Sequence, residues 1–384
     1  MKKGKILYIK NSSSKVNLST YNVQAVGLGK AFCKLGYDYD FIFFSNENKV
    51  VQDNTIYGHR MRILSKKGLR ILRSYYCKEI LNTEYLQQYD FVISTEYGQI
   101  MTYLLGKSSN NVVMYSGPYY NLFKLPFVSP IYDALFTESI NKNLKYKFVK
   151  SKLAQKYLES KGYTGLYNIG VALDVERFNA DVEIKSDTKK IMDFMKANRC
   201  ILYVGALSDR KNYPFLLEVY QKVHKDNPDV KFVIIGKGKE QYVNKHMNAL
   251  TAEEKNGIYR LERIDNAQLK YIYPLAKAFL LPSKLEIFGM VLLESMYLGA
   301  PVVTSWNGGS STLIDGCNTG IVVREFDSNK WKTAVQKYLD DEVYTVEVTQ
   351  NAHELITTEY IWDALAKKML TKINEGDERY AVQN

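Results

Sequence analysis

Short, largely apolar runs alternate with longer amphipathic ones from one end of the chain to the other. KILYI at residues 5–9 is followed by the helical pattern NVQAVGLGKAFCKLG and then by DFIFF; DFVIS, NVVMY and KFVKS come further on. From residue 200 the same rhythm returns as CILYVGA, YPFLLEVYQKVHKD, VKFVIIG, NAQLKYIYPLA, AFLLPS, GMVLLESMYLG, PVVTS and GIVVRE. Runs that are apolar on both faces and joined by helical segments belong to parallel sheets covered on both sides. The pattern therefore predicts an α/β chain of two doubly wound, Rossmann-like domains. The polar stretch NADVEIKSDTKKIMDFMKANR, residues 179–199, marks the break. We expect one domain over 1–180 and a second over 181–360. A last segment, 361–384, carries a helix from Ile361 to about Ile373 and is expected to pack back toward the first domain. Sheets of this kind take ligands at the carboxyl ends of their strands, so two such domains facing each other would share a cleft.

A length of 384 residues suits two domains, and 46% hydrophobic with 24% charged residues excludes a disordered chain. No segment approaches the roughly 20 apolar residues of a membrane span, and the apolar part of MKKGKILYIKNSSSK is too short for a signal peptide, so a cytoplasmic location is expected. Cys33, Cys77, Cys200 and Cys317 lie too far apart for a Cys-x-x-Cys pair, and the histidines are scattered; neither a zinc site nor a disulfide framework is indicated.

Charge changes the picture more. Residues 1–178 hold 25 Lys+Arg against 13 Asp+Glu, a net +12, whereas the remainder holds 27 against 28. A one-sided field points to an anionic partner such as a membrane surface or a lipid pyrophosphate, and no recognised module accompanies it that would favour nucleic acid. The excess focuses in HRMRILSKKGLRILRSYYCK, residues 59–78, with seven Lys+Arg and no acid. Met61, Ile63, Leu64, Leu69, Ile71, Leu72 and Tyr76 add an apolar component, which reads either as a helix lying on an anionic membrane or as a solvated helix covering the N-terminal sheet.

The chemistry concentrates in LPSKLEIFGMVLLESMYLGAPVV, residues 281–303. A strand ends at Leu281-Pro282, a loop carries Glu286, a helix is expected from Phe288 to Leu298, and Gly299 caps it. If that helix covered both Glu286 and Glu294, they would lie about 12 Å apart along its axis. Two carboxylates that share one scissile bond sit within roughly 5–9.5 Å, so this pair instead fits two ends of one elongated ligand. Free amides of the turn Phe288, Gly289, Met290 and Val291, next to Ile287, favour hydroxyls and anions.

The longer pattern E-x-F-G-x-x-x-x-E-x-x-x-x-G-x-P-V-V resembles the signature of family-4 retaining glycosyltransferases of the GT-B fold. The resemblance implies that Glu286 holds the transferred sugar and Glu294 the ribose of a nucleotide-sugar donor, linked to UDP, GDP or dTDP, with no cofactor and no metal. A second element, YVGALSDRKNYPFLL, places Arg210 and Lys211 after Gly205 and before a helix beginning near Tyr213, a seat for a diphosphate. The family usually has Arg directly after that Gly, where this chain has Ala206. Either Arg210 supplies the second charge from within the loop, or the phosphates are held less tightly. In FVIIGKGKEQ, Gly236 and Gly238 resemble the turn that lets backbone approach the base, and Arg263 falls where relatives place residues near it. Asn307-Gly308-Gly309 follows a strand, as a sugar-pocket wall or a plain turn.

The first half matches through the helix YNVQAVGLGKAFCKLG and through YKFVKSKLAQKYLESKGYTGLYNIGVALDVERF near the crossover. It departs at VVMYSGPYYN, where relatives place a cleft histidine; Tyr115, Ser116, Gly117 and Tyr119 occupy that segment, the expected acceptor side for a saccharide or lipid-linked acceptor. The whole implies a metal-independent hexosyltransferase acting in polysaccharide or glycoconjugate synthesis. The alternative is a catalytically silent GT-B subunit that binds a partner transferase or glycan. Asp38-x-Asp40 matches a metal-binding pair formally, but it starts a strand, away from the ligand-binding end.

Overall fold

The computed structural model describes residues 4–12, 16–18, 23–71, 73–123 and 125–381, with the backbone alone for 376–381. The chain forms two compact units: residues 1–172 together with 362–384, and residues 173–361.

The first unit contains β1 (Gly4–Lys10), β2 (Tyr37–Ser45), β3 (Lys49–Ile56), β4 (His59–Lys67), β5 (Leu69–Ile71), β6 (Ser74–Tyr76), β7 (Phe91–Thr95), β8 (Val112–Ser116), β9 (Lys147–Val149) and β10 (Leu166–Asn168). Eight of these strands make one sheet in the order β10-β9-β8-β7-β1-β2-β4-β3, while β5 and β6 pair as a separate ribbon. All neighbours in the sheet run parallel except the β3–β4 hairpin at its edge. Every residue of β7 and β8 is buried, as expected of central strands covered on both faces.

The second unit contains β11 (Arg199–Val204), β12 (Val230–Ile235), β13 (Ile258–Leu261), β14 (Ala278–Leu281), β15 (Val302–Ser305) and β16 (Ile321–Val323), in the order β13-β12-β11-β14-β15-β16, all parallel. Counted from its own first strand, this is the 3-2-1-4-5-6 order of a Rossmann sheet. Chain direction across the sheet reverses between β11 and β14 here, and between β1 and β7 in the first unit. Ligands of such sheets collect at the carboxyl ends flanking that point. Ile201, Tyr203, Phe232, Ile234 and Trp331 build the core of the second unit; Leu7, Ile9, Val92, Met101 and Met114 build that of the first.

The basic segment 59–78 is not a helix. Met61 and Ile63 are buried while Arg60 is exposed and Arg62 half-buried, a period of two that makes β4 a sheet strand. Arg62 grips Asp40 of β2 with two hydrogen bonds of 2.7 and 2.6 Å, and Arg60 grips Asp53 of β3 at 2.9 and 2.6 Å. Burial pushes the Asp40 carboxyl up, but hydrogen bonds from Arg62, Tyr89 and Lys5 outweigh it and hold the group below its usual range. Asp38 accepts from the Arg60 amide at 2.9 Å. Asp38 and Asp40 thus serve as cross-strand counter-charges, and among the described residues no cluster is arranged to hold a metal ion. Leu72 lies outside the described residues.

The polar stretch after residue 179 contains a helix, Ser186–Ala197, whose Ile191 and Met195 are buried. Two helices follow the last sheet strands, Ser328–Asp340 and Glu342–Glu359, before the helix Trp362–Ala381 joins the first unit. Trp362 lies so close to Gly27 that a Cβ there would stand 2.2 Å from the indole nitrogen. Leu365 and Met369 are fully buried, and Tyr146 donates to the Ile373 carbonyl at 2.8 Å. No helix among the described residues is long and apolar enough to cross a membrane.

Candidate active site

The site of the second unit is assembled at the carboxyl ends of β11 and β14. After β11 the chain passes Gly205 (φ 155°), Ala206 and Leu207 and makes a short 3-10 turn, Asp209–Lys211. Asn212, at φ 57°, then turns it into the helix Tyr213–Asp226. Two tyrosines brace this loop: Tyr203 donates to the Ala206 carbonyl at 2.8 Å, and Tyr242 donates to Asp209 at 2.8 Å. After β14 the chain continues through Pro282 and Ser283 to Glu286. The two loops are tied together by the Lys284 amide, which donates to the Arg210 carbonyl at 2.9 Å.

Three predicted residues meet here. The Lys211 ammonium is in direct contact with Glu286 Oε2, and the Arg210 guanidinium reaches the same oxygen at 3.3 Å while donating to the Leu285 carbonyl at 2.9 Å. The side chains of Lys211 and Glu286 are 10% and 15% exposed, whereas Arg210 is 51% exposed. Two cations on one nearly buried carboxylate leave a local excess of positive charge. Such a pair is held with little water to screen it and would exchange partners when an anion arrives.

Glycines make the approach possible. Gly289 sits at φ 86°, and a Cβ on it would come within 3.2 Å of the Glu286 side chain. Cβ atoms on Gly308 and Gly309 would fall 1.8 Å from the carbonyl oxygens of Ile287 and Phe288, and the Gly308 amide donates to the Glu286 carbonyl at 3.1 Å. Asn307-Gly308-Gly309 is therefore the support on which the Glu286 loop lies. Likewise a Cβ on Gly236 would stand 1.8 Å from the Gly205 carbonyl, and one on Gly238 would stand 2.6 Å from that of Leu207. These glycines, read in sequence as room for a base, also let the loops after β11 and β12 lie in contact. Arg263 is exposed, past the end of β13.

Glu294 does not share a helix with Glu286. The helix begins at Met290, two residues later than expected, because Gly289 takes a left-handed conformation at its N-cap. Leu292 already donates to the Gly289 carbonyl at 2.9 Å, so the amides of Met290 and Val291 lead this helix. Glu294 is 1% exposed and accepts from the Tyr273 hydroxyl at 3.4 Å. Burial pushes its carboxyl up to about 8. A carboxyl held neutral near pH 7 can both donate to and accept from a hydroxyl. Nothing in the sequence singles out Tyr273, or Ser283, whose buried hydroxyl has no partner among the described residues.

In the first unit the segment 115–119 spans the end of β8 and the residues that follow it. Tyr115 is fully buried and spends its hydroxyl on the Gly170 carbonyl at 2.7 Å, and Ser116 is equally buried and accepts from the Tyr97 amide at 3.3 Å. Neither side chain presents surface to an acceptor. Gly117 is buried too, and Tyr119 is the half-buried member of the four.

The model of the glycosyl transferases group 1 family matches residues 185–369. This stretch resembles a glycosyl transferases group 1 domain. Within it lie Gly205, Arg210, Lys211, Glu286 and Glu294. An uncharacterized glycosyltransferase of Methanocaldococcus jannaschii is 30% identical over 193 residues, which cover 50% of this chain and 48% of that protein. The chain thus spans about half the length of such curated relatives. Among solved structures, the sucrose-phosphate synthase of Thermosynechococcus elongatus superposes with a TM-score of 0.67 at 18% identity, covering 98% of this chain and all of that one. The Anabaena HepE protein in complex with UDP does so at 0.69 and 14% identity, covering 97% of this chain and all of that one. With these neighbours the fold is of the GT-B type, built from two Rossmann-like units.

Proposed function

We propose that the protein is a retaining, metal-independent glycosyltransferase of family 4 that moves a hexose from a nucleotide-sugar to a saccharide or lipid-linked acceptor in cell-surface glycan synthesis. The observation that carries this reading is the meeting of Lys211, Arg210 and Glu286 at the carboxyl ends of β11 and β14, within the group 1 domain. In the ligand-free protein the cations rest on Glu286. A bound donor would place its diphosphate on Lys211 and Arg210 and release Glu286 to accept hydrogen bonds from the sugar hydroxyls. Glu294, deeper and close to neutral, would take the ribose hydroxyls together with Tyr273, and Arg263 would lie toward the base.

In the transfer, the bond from the anomeric carbon to the diphosphate oxygen breaks, and the acceptor oxygen bonds to the same face of that carbon. The acceptor proton passes to the departing diphosphate. The chain's own task is to stabilise charge growing on the diphosphate, which preorganised cations in a water-poor setting do at no cost of reorganisation. Ala206 lacks the charge expected at its position, and the reach of Arg210 to Glu286 supports its supplying that charge.

The UDP complex of the HepE neighbour makes UDP-sugars the first donors to try. The test is hydrolysis and transfer with UDP-, GDP- and dTDP-sugars by the wild-type chain and by Lys211→Ala and Glu286→Ala. Turnover in the wild type and its loss in both variants is expected. Near-normal turnover in both variants would sink the assignment of these residues, and none in the wild type with any donor would favour a silent subunit. A cytoplasmic chain peripheral to an anionic membrane remains part of the proposal. It rests on the +12 excess of residues 1–178 and on exposed Ile131 and Leu135 of the helix Val128–Asn143 with exposed Phe127 at its N-cap, rather than on residues 59–78. Flotation with anionic vesicles at low salt should show binding that Ile131→Glu abolishes.

A further inference from the structure

The first unit has its own opening at the point where chain direction reverses. A cavity of about 290 Å³ lies there, lined by Tyr8 and Lys10 of β1, Phe41 of β2, Thr95 at the end of β7, and then Glu96 and Lys150. Its volume is at the low end of the roughly 300–1,000 Å³ of small-molecule sites, which is room for a monosaccharide-sized unit.

Glu96 departs from ordinary structure twice. It stands at φ 68°, a left-handed conformation that a glutamate rarely adopts. The carboxyl Oε2 is shut off from solvent and has no hydrogen-bond partner among the described residues. Burial pushes this carboxyl up, against the pull of Lys150, Arg73, the Gly117 amide and Lys10. Lys150 is 8% exposed, and its ammonium lies 4.6 Å from the centre of the Tyr115 ring. Burial lowers the pKa of Lys150; burial and then the charge of Lys150 lower that of Lys10. Neither ammonium forms an ion pair among the described residues. A buried carboxylate oxygen without a donor and two ammoniums that feel the Glu96 charge without forming an ion pair with it are costly arrangements in a folded protein, and each is relieved by a ligand that brings the missing group.

We propose that this cavity binds a phosphorylated sugar unit, with the phosphate on Lys10 and Lys150 and a hydroxyl donating to Glu96 Oε2. Its role as the acceptor site rests on the transferase reading; its ligand chemistry does not. Two ammoniums against one carboxylate leave the site a net positive charge, which selects the anion. The phosphate can come from a free sugar phosphate or from the pyrophosphate of a lipid-linked sugar.

The test is calorimetric titration of the full chain with glucose, glucose 1-phosphate, glucose 6-phosphate, inorganic phosphate and a short-chain polyprenyl pyrophosphate sugar. We expect at least one phosphorylated sugar to bind tenfold or more tightly than glucose and than inorganic phosphate. Preference for the polyprenyl compound assigns a lipid-linked source, and preference for a hexose phosphate assigns a soluble one. Lys150→Met should remove the preference, and Glu96→Gln should weaken binding of the sugar phosphate while leaving that of inorganic phosphate. Should Lys150→Met not fold, Lys10→Met tests the same contact on a half-exposed side chain. No binding of any phosphorylated member, or a preference that survives in the lysine variants, overturns the proposal. Binding of UDP-sugars to the wild type is measured in parallel. Donor binding without sugar-phosphate binding removes this inference alone, whereas the reverse removes the transferase reading and keeps the site.

Discussion

Both units open a parallel sheet at the same topological place, and both put an acid with two cations there, yet the two clusters are in opposite states. Glu286 in the second unit is closed on Lys211 and Arg210, in loops that Gly236, Gly289, Gly308 and Gly309 allow to lie in contact. In the first, Glu96 leaves an oxygen unpaired and Lys150 and Lys10 rest on no carboxylate. A closed cluster stores its ligand contacts as an ion pair until a competitor arrives; an open one holds them as unsatisfied groups. The difference teaches that a cluster closed on itself can be stable as it stands, while its open counterpart trades stability for readiness.

The strongest way to break the comparison is to remove one cation from the closed cluster. Lys211→Ala should lower the rate of donor turnover by about 10²–10³-fold, the usual cost of losing one preorganised charge stabiliser, as read by steady-state kinetics. A loss below tenfold would reduce the ion pair to a structural one. Next comes Glu294, whose carboxyl is raised from 4.5 to about 8. The folded chain then holds a proton that the unfolded chain has released, so stability of the ligand-free protein is greatest below about pH 4.5 as far as this group acts. That contribution is lost as pH rises toward 8. Glu294→Gln should flatten this slope and raise stability at pH 8 by roughly 2–3 kcal/mol, a shift of several pH units discounted for relaxation around the group. Denaturant melts at pH 6 and pH 8 measure it, and an unchanged slope removes the buried acid from the account.

Arg210→Ala sharpens the question left by Ala206. Donor affinity should fall about tenfold, near 1.4 kcal/mol, and Ala206→Arg in the same chain should restore it; equal affinities in all three proteins would mean that Arg210 makes no phosphate contact. The smallest effect concerns the open cluster. Glu96→Gln should raise the melting stability of the empty protein by about 0.5–1 kcal/mol, as relief of a functional strain commonly does. A loss of stability instead would make Glu96 a structural group and erase the contrast.

Much of the fold was legible, because strands apolar on both faces, such as those at Phe91 and Ala278, belong to covered parallel sheets and leave few topologies. The basic segment misled, since Arg60 and Arg62 alternate with Met61 and Ile63 at a period that a charge count ignores; their partners, Asp53 and Asp40, lie on other strands. Lys211, Arg210 and Glu286 stood out by local pattern, and the folded chain brings them together. The shorter helix at Met290 was hidden, because a left-handed Gly289 is written in no periodicity. Glu96 was hidden for a different reason. Its partners come from residue 10 and residue 150, and its one local sign, an acid directly after a short buried strand, is common.

The helix that begins at Trp362 belongs to the first unit, although all of residues 173–361 separates it from the rest of that unit. During synthesis at roughly 5–20 residues per second, the helix Gln24–Lys34 that carries Gly27 waits about 10–40 s after residue 172 is made for the tryptophan that packs on it. The second unit is complete before the first. A nascent chain of this protein therefore matures in reverse order, and loss of its last helix would strand the part that was made earliest.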